Sequence, residues 1–141
     1  NWLRATLLLA LLFQGMFGIF QLHLYEYAYY NSFVGGTNNV FREYETDYWL
    51  TCYKEAVEQL NATTSAPINL FVKREAYIAA TYANNNISVQ DLRGATDQVQ
   101  AGDYVLINTR TNEDKSTFKD APVVIEIKRG EATFCIIRQI P

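Results

Sequence analysis

The sequence predicts an α/β fold: one N-terminal transmembrane helix, then a small α/β domain with a mixed sheet and a C-terminal β-hairpin. Three observations carry this. The run Ala5 to Leu22 is apolar and holds no charge. After Asp47, helix-length amphipathic stretches alternate with strand-length apolar runs, the pattern of a mixed sheet. Late in the chain, two partly alternating runs flank Arg129-Gly130, as in a hairpin. The 141 residues have room for one compact domain, not two.

Taken in order, Ala5–Leu22 (ATLLLALLFQGMFGIFQL) has only Thr6, Gln14 and Gln21 as clearly polar side chains. At a helical rise of about 1.5 Å it reaches roughly 27 Å, close to the hydrocarbon thickness of a bilayer. Its leucines point all round, unlike a half-buried helix with one apolar stripe. Trp2 and Arg4 precede the run; Tyr25, Tyr27, Tyr29 and Tyr30 follow it, where an aromatic belt would meet the headgroups. Arg4 is the sole charge before the run, so the N-terminus is expected in the cytoplasm and the rest outside. A cleaved signal peptide is disfavoured because no small-x-small site follows. With Asn1 rather than methionine first, the chain reads as a piece of something longer or a processed product. The expected organisation is a transmembrane helix over 1–24, an interfacial loop segment over 25–46 and an extracytoplasmic α/β domain over 47–141.

Within that domain, Thr46 to Asn61 reads as a helix capped by Thr46 or Asp47. Its stripe is Trp49, Cys52, Tyr53, Ala56, Val57 and Leu60. Ile68–Lys73 is a strand, Glu75–Ala83 a helix, Ile87–Val89 a brief strand and Asp103–Thr109 a buried strand. A charged loop, Arg110–Asp120, leads to the hairpin strands Val123–Lys128 and Ala132–Ile140. About ninety residues can bury a modest core.

Chemistry is sparse. Twelve basic against fifteen acidic side chains give a net charge of −3, which argues against a nucleic-acid partner. His23 is the only imidazole and stands at the end of the apolar run, which disfavours a catalytic triad. Glu43, Glu45 and Asp47 would share one face of an extended segment; complementing a helix N-terminus explains them better than cation binding. Gly35-Gly36 lacks the lysine of a P-loop and the third glycine of a dinucleotide fingerprint, and suits a tight turn at positive φ. Cys52 and Cys135 read as core residues, with a disulfide between them as the alternative outside the cytosol. Asn61-Ala62-Thr63 and Asn86-Ile87-Ser88 match the glycosylation triplet at the frequency chance supplies. No catalytic, cofactor or metal site is expected in this chain.

One stretch is distinctive: His23-Leu24-Tyr25-Glu26-Tyr27-Ala28-Tyr29-Tyr30-Asn31-Ser32-Phe33-Val34-Gly35-Gly36, then Asp47-Tyr48-Trp49 and Tyr53-Lys54-Glu55-Ala56. It resembles the end of the last transmembrane helix and the start of the C-terminal domain in polytopic GT-C glycosyltransferases. Bacterial members related to the protein mannosyltransferases are the most similar. Leu24 stands where that pattern often has Pro, and Tyr30 where it often has Phe. The resemblance implies a membrane enzyme that moves a sugar from a polyprenyl-phosphate donor to an extracytoplasmic acceptor. The family's catalytic acid lies in a first extracytoplasmic loop that this sequence lacks, so no catalytic residue carries over. The donor is implied only for a full-length enzyme. The motif residues His23, Tyr25, Tyr27, Tyr30, Asn31, Gly35, Gly36, Asp47, Tyr48 and Trp49 are then expected to pack, or to edge an acceptor site. Tyr25–Gly36 would face missing membrane helices, and Asp47-Tyr48-Trp49 would dock the helix beneath the sheet.

The expected function is therefore the non-catalytic C-terminal part of such an enzyme, with a packing or acceptor-recognition role. The alternative is a single-span accessory subunit of a larger membrane complex, its helix meeting partner spans through Gly15 and Gly18. In either case the expected partners are the lipid bilayer and other transmembrane helices, of the same longer chain or of other subunits. A soluble binding module with a buried N-terminal helix is a third reading.

Overall fold

The computed structural model describes residues 2–141. It opens with α1, Trp2–Gln21, a helix of 20 residues and so about 30 Å long. The helix is long and apolar enough to cross a membrane, and none of its residues is buried. That second fact means that this helix does not fill the domain's own core, as the soluble reading expects. The helix ends three residues before the expected limit at residue 24, because Leu24 turns into the left-handed region at φ 76°.

The remaining elements are α2 (Gly36–Val40), α3 (Cys52–Thr63), β1 (Ile68–Val72), α4 (Ala76–Ala80), β2 (Ile87–Asp91), β3 (Tyr104–Asn108), β4 (Val123–Arg129) and β5 (Ala132–Gln139). The strands form one mixed sheet in the order β2-β1-β3-β5-β4. β1 runs parallel to β2 and β3, while β5 is antiparallel to both β3 and β4. The hairpin turns at Gly130, which adopts φ 58°.

Alternation along the strands divides the core. Leu70, Val72, Leu106 and Ile137 pack with Tyr53, Ala56, Val57 and Leu60 of α3 in the main cluster. Phe71, Val105, Ile107 and Ile136 face the other side, where Leu92 and Phe118 cover them.

Three sequence expectations need correction. α3 begins at Cys52 rather than Thr46, because the chain first makes a turn with Leu50 at φ 59°. This throws Trp49 out of the helical stripe, leaving it 71 % exposed while Leu50 enters the core. α4 is shorter than Glu75–Ala83, since Glu75 itself lies in the left-handed region at φ 44°. Finally, residues 25–46 are not a plain loop: they carry two 3-10 turns, Glu26–Ala28 and Ser32–Val34, besides α2.

Candidate functional site

The residues quoted for the resemblance meet at the junction between α1 and the sheet. Tyr25 is its centre. Its ring is 1 % exposed, so it belongs to the domain core and not to a headgroup belt. It stacks on Phe134 of β5 with centroids 4.4 Å apart. Its hydroxyl donates to Glu55 Oε2 at 3.1 Å. The Arg129 guanidinium closes the group, 4.7 Å above the Tyr25 ring and 2.8 Å from the same carboxylate oxygen. Burial, then the Glu55 charge, push the Tyr25 phenol above its ordinary range.

Asp47 is the second anchor. Its carboxylate accepts from the backbone amides of Thr51 at 2.9 Å and Cys52 at 3.0 Å, the free N–H groups at the start of α3. It thus caps the helix as expected, but from across the Tyr48–Leu50 turn. Tyr27 donates its hydroxyl to the same carboxylate. Burial raises the Asp47 carboxyl above its usual range, against the pull of the Tyr27 and backbone hydrogen bonds. The same burial raises the Tyr27 phenol. One residue into α3, Cys52 is joined to Cys135 of β5 in a disulfide. Both half-cystines are fully buried, so the pair is at once core and cross-link.

The rest of the segment folds back along α1. Tyr29 lies on the small-residue face of the helix, so close that a Cβ on Gly18 would sit 2.5 Å from its ring. The Gly15–Gly18 face, assigned above to a partner helix, is occupied here by Tyr29 of the same chain. Gln14 Nε2 donates to Ser32 Oγ at 2.7 Å. Asn31 caps the following turn by accepting from the amides of Phe33 at 3.0 Å and Val34 at 3.3 Å. Gly35 and Gly36 then adopt φ 99° and 69°, the positive values expected of the pair. Tyr30 donates its hydroxyl to the Glu45 carbonyl at 3.2 Å. His23 is exposed and pairs through Nδ1 with Glu26 Oε1 at 2.9 Å. A backbone hydrogen bond within Glu26, then the His23 ring, hold the Glu26 carboxyl below its usual range.

Tyr48 and Trp49 do not dock α3 beneath the sheet. They point outward, edge to face at 5.2 Å, with Arg110 stacked 4.4 Å from the Tyr48 ring. Sequence reading missed Glu55, Arg129 and Phe134 as partners of Tyr25. It also missed Thr37, whose hydroxyl ties the Ala28 carbonyl to the Tyr30 amide, and Asn38, which accepts from the Glu131 amide across the hairpin turn. The resemblance gave signal only for Glu55; nothing local marks the others.

Between α1, the folded-back segment and the hairpin turn lies an open cavity of about 600 Å³. Its polar lining comes from Gln14, Gln21, Ser32, Asn38 and Asn39, with Arg129 its one charged group. That charge is already matched by Glu55. A smaller cleft of about 200 Å³ runs between the Phe41–Asp47 segment and Thr109–Asn112. Among the described residues, no three His, Cys, Asp or Glu side chains come together to hold a metal ion. No family model, curated protein or solved structure matches this chain.

Proposed function

We propose that this chain is the non-catalytic C-terminal part of a membrane glycosyltransferase of the GT-C type. In this reading α1 is the last span, and the α/β domain stands on the extracytoplasmic side as a packing or acceptor-recognition module. The observation that carries it is the convergence of the motif residues on one junction. Tyr25, Tyr27 and Asp47 join the segment after α1 to the start of α3 and to β5, Tyr30 bonds the Glu45 carbonyl, and Asn31, Gly35 and Gly36 shape the turn whose Ser32 meets Gln14 of α1. Two features add support. A buried disulfide is at home outside the cytosol. Tyr48 and Trp49 belong to the quoted motif yet have no core to fill, which suits a surface that meets other parts of an enzyme.

The test is to read the coding sequence upstream of Asn1. Further apolar spans and an acidic first extracytoplasmic loop are expected. A start codon immediately upstream would sink the enzyme reading and leave a single-span subunit. Independently, the purified chain in lipid vesicles is expected to transfer no sugar from a polyprenyl-phosphate donor, since a lipid-linked donor needs a cavity walled by several helices.

A further inference from the structure

We propose that the turn Asn31–Gly35 is a second membrane-inserted element, which places Phe33 and Val34 among the acyl chains beside α1. This rests on the reading of α1 as a span and adds to it a specific lipid contact. Its depth follows from one hydrogen bond. Ser32 is tied to Gln14, which precedes the end of α1 at Gln21 by seven residues. At about 1.5 Å per residue that is roughly 10 Å along the helix, below the headgroups and into the hydrocarbon. The Tyr29 ring lies against Gly18, and its hydroxyl reaches toward Gly15 near that level.

The exposed surface of the turn has the matching chemistry. In a segment otherwise made of Asn, Ser and Gly, Phe33 is 86 % exposed and Val34 55 % exposed. Hydrocarbon penalises any backbone amide left without a partner, so only a turn that satisfies its own amides can enter. This turn does so. The amides of Phe33 and Val34 go to the Asn31 side chain, that of Gly35 to the Ser32 carbonyl and that of Gly36 to the Asn31 carbonyl. The Asn31 cap therefore has a task besides local geometry: it lowers the polar cost of inserting the Phe33 and Val34 amides.

The test uses the full chain in phosphatidylcholine vesicles, with Trp2→Phe and Trp49→Phe removing the native tryptophans. Phe33→Trp or Val34→Trp reports on the turn, and Phe13→Trp on α1. Lipids brominated on the acyl chains are expected to quench both reporters, while aqueous iodide reaches neither. Adding Asn31→Ala to the Phe33→Trp chain should shift that reporter toward iodide and away from bromine. Quenching of the turn by iodide while α1 is quenched by bromine overturns the proposal and leaves the span intact. A turn shielded from both quenchers is covered by protein, which also overturns it. A Phe13→Trp signal insensitive to bromine overturns the span reading and this proposal together.

Discussion

In the sheet, Leu70, Val72, Leu106 and Ile137 lie against α3 with no polar partner required. Across the junction, contact after contact pairs a tyrosine hydroxyl with a carboxylate, a carboxylate with a backbone amide, or a guanidinium with an aromatic ring. The sheet is held by area removed from water, which is tolerant of direction. The junction is held by directional bonds that tie the segment after α1 to α3 and the hairpin. The difference teaches that the two regions have separate tasks. One supplies stability, and the other spends hydrogen-bonding groups on orientation.

The comparison can be broken most sharply where the two regions touch. Phe134→Ala removes a fully buried ring and the surface on which Tyr25 stacks; a loss of about 3–5 kcal/mol is expected from denaturant unfolding in detergent. A loss below about 1 kcal/mol would mean that the junction, not the apolar core, dominates stability there. Next, replacing Cys52 and Cys135 together by Ala should cost about 2–4 kcal/mol, and reductant should lower the unfolding midpoint of the wild type but not of this variant.

Smaller, and specific to the junction, is Asp47→Asn. It weakens the cap on α3 and the bond to Tyr27, for an expected loss of about 1–2 kcal/mol. Its pH dependence sharpens the comparison. Because burial raises the folded-state pKa of Asp47, the folded chain binds more protons than the unfolded chain between the ordinary carboxylate value and the raised one. Stability from this group therefore grows as pH falls through that window. The gap between wild type and Asp47→Asn should widen on acidification, and a narrowing gap would show that the carboxylate is stabilised as the anion. The smallest effect is Trp49→Ala, which should leave stability within about 0.5 kcal/mol because the ring is 71 % exposed.

The sheet was legible because each strand is a short apolar run between turn residues, and residues such as Leu106 and Ile137 announce burial by their own chemistry. The start of α3 was misplaced for a definite reason. Trp49, Cys52 and Tyr53 have helical spacing, but spacing carries no sign of the left-handed Leu50 that breaks the phase. Tyr25 was placed in a headgroup belt because its partner Phe134 lies at the far end of the sequence, where no local pattern connects them. Asp47 was legible as a cap since helix N-termini select carboxylates. Tyr29 on Gly18 was half legible: the small residues announced a close approach, but not which segment makes it.

The strand order has a consequence for how such a chain becomes a domain. β5 occupies a slot between β3 and β4, neither of which has another partner on that side. Until Ala132–Gln139 is made, β3 presents a raw edge and β4 has no strand to pair with. Any protein that chaperones this domain must therefore wait for its final strand, with Cys52 still a thiol while it waits.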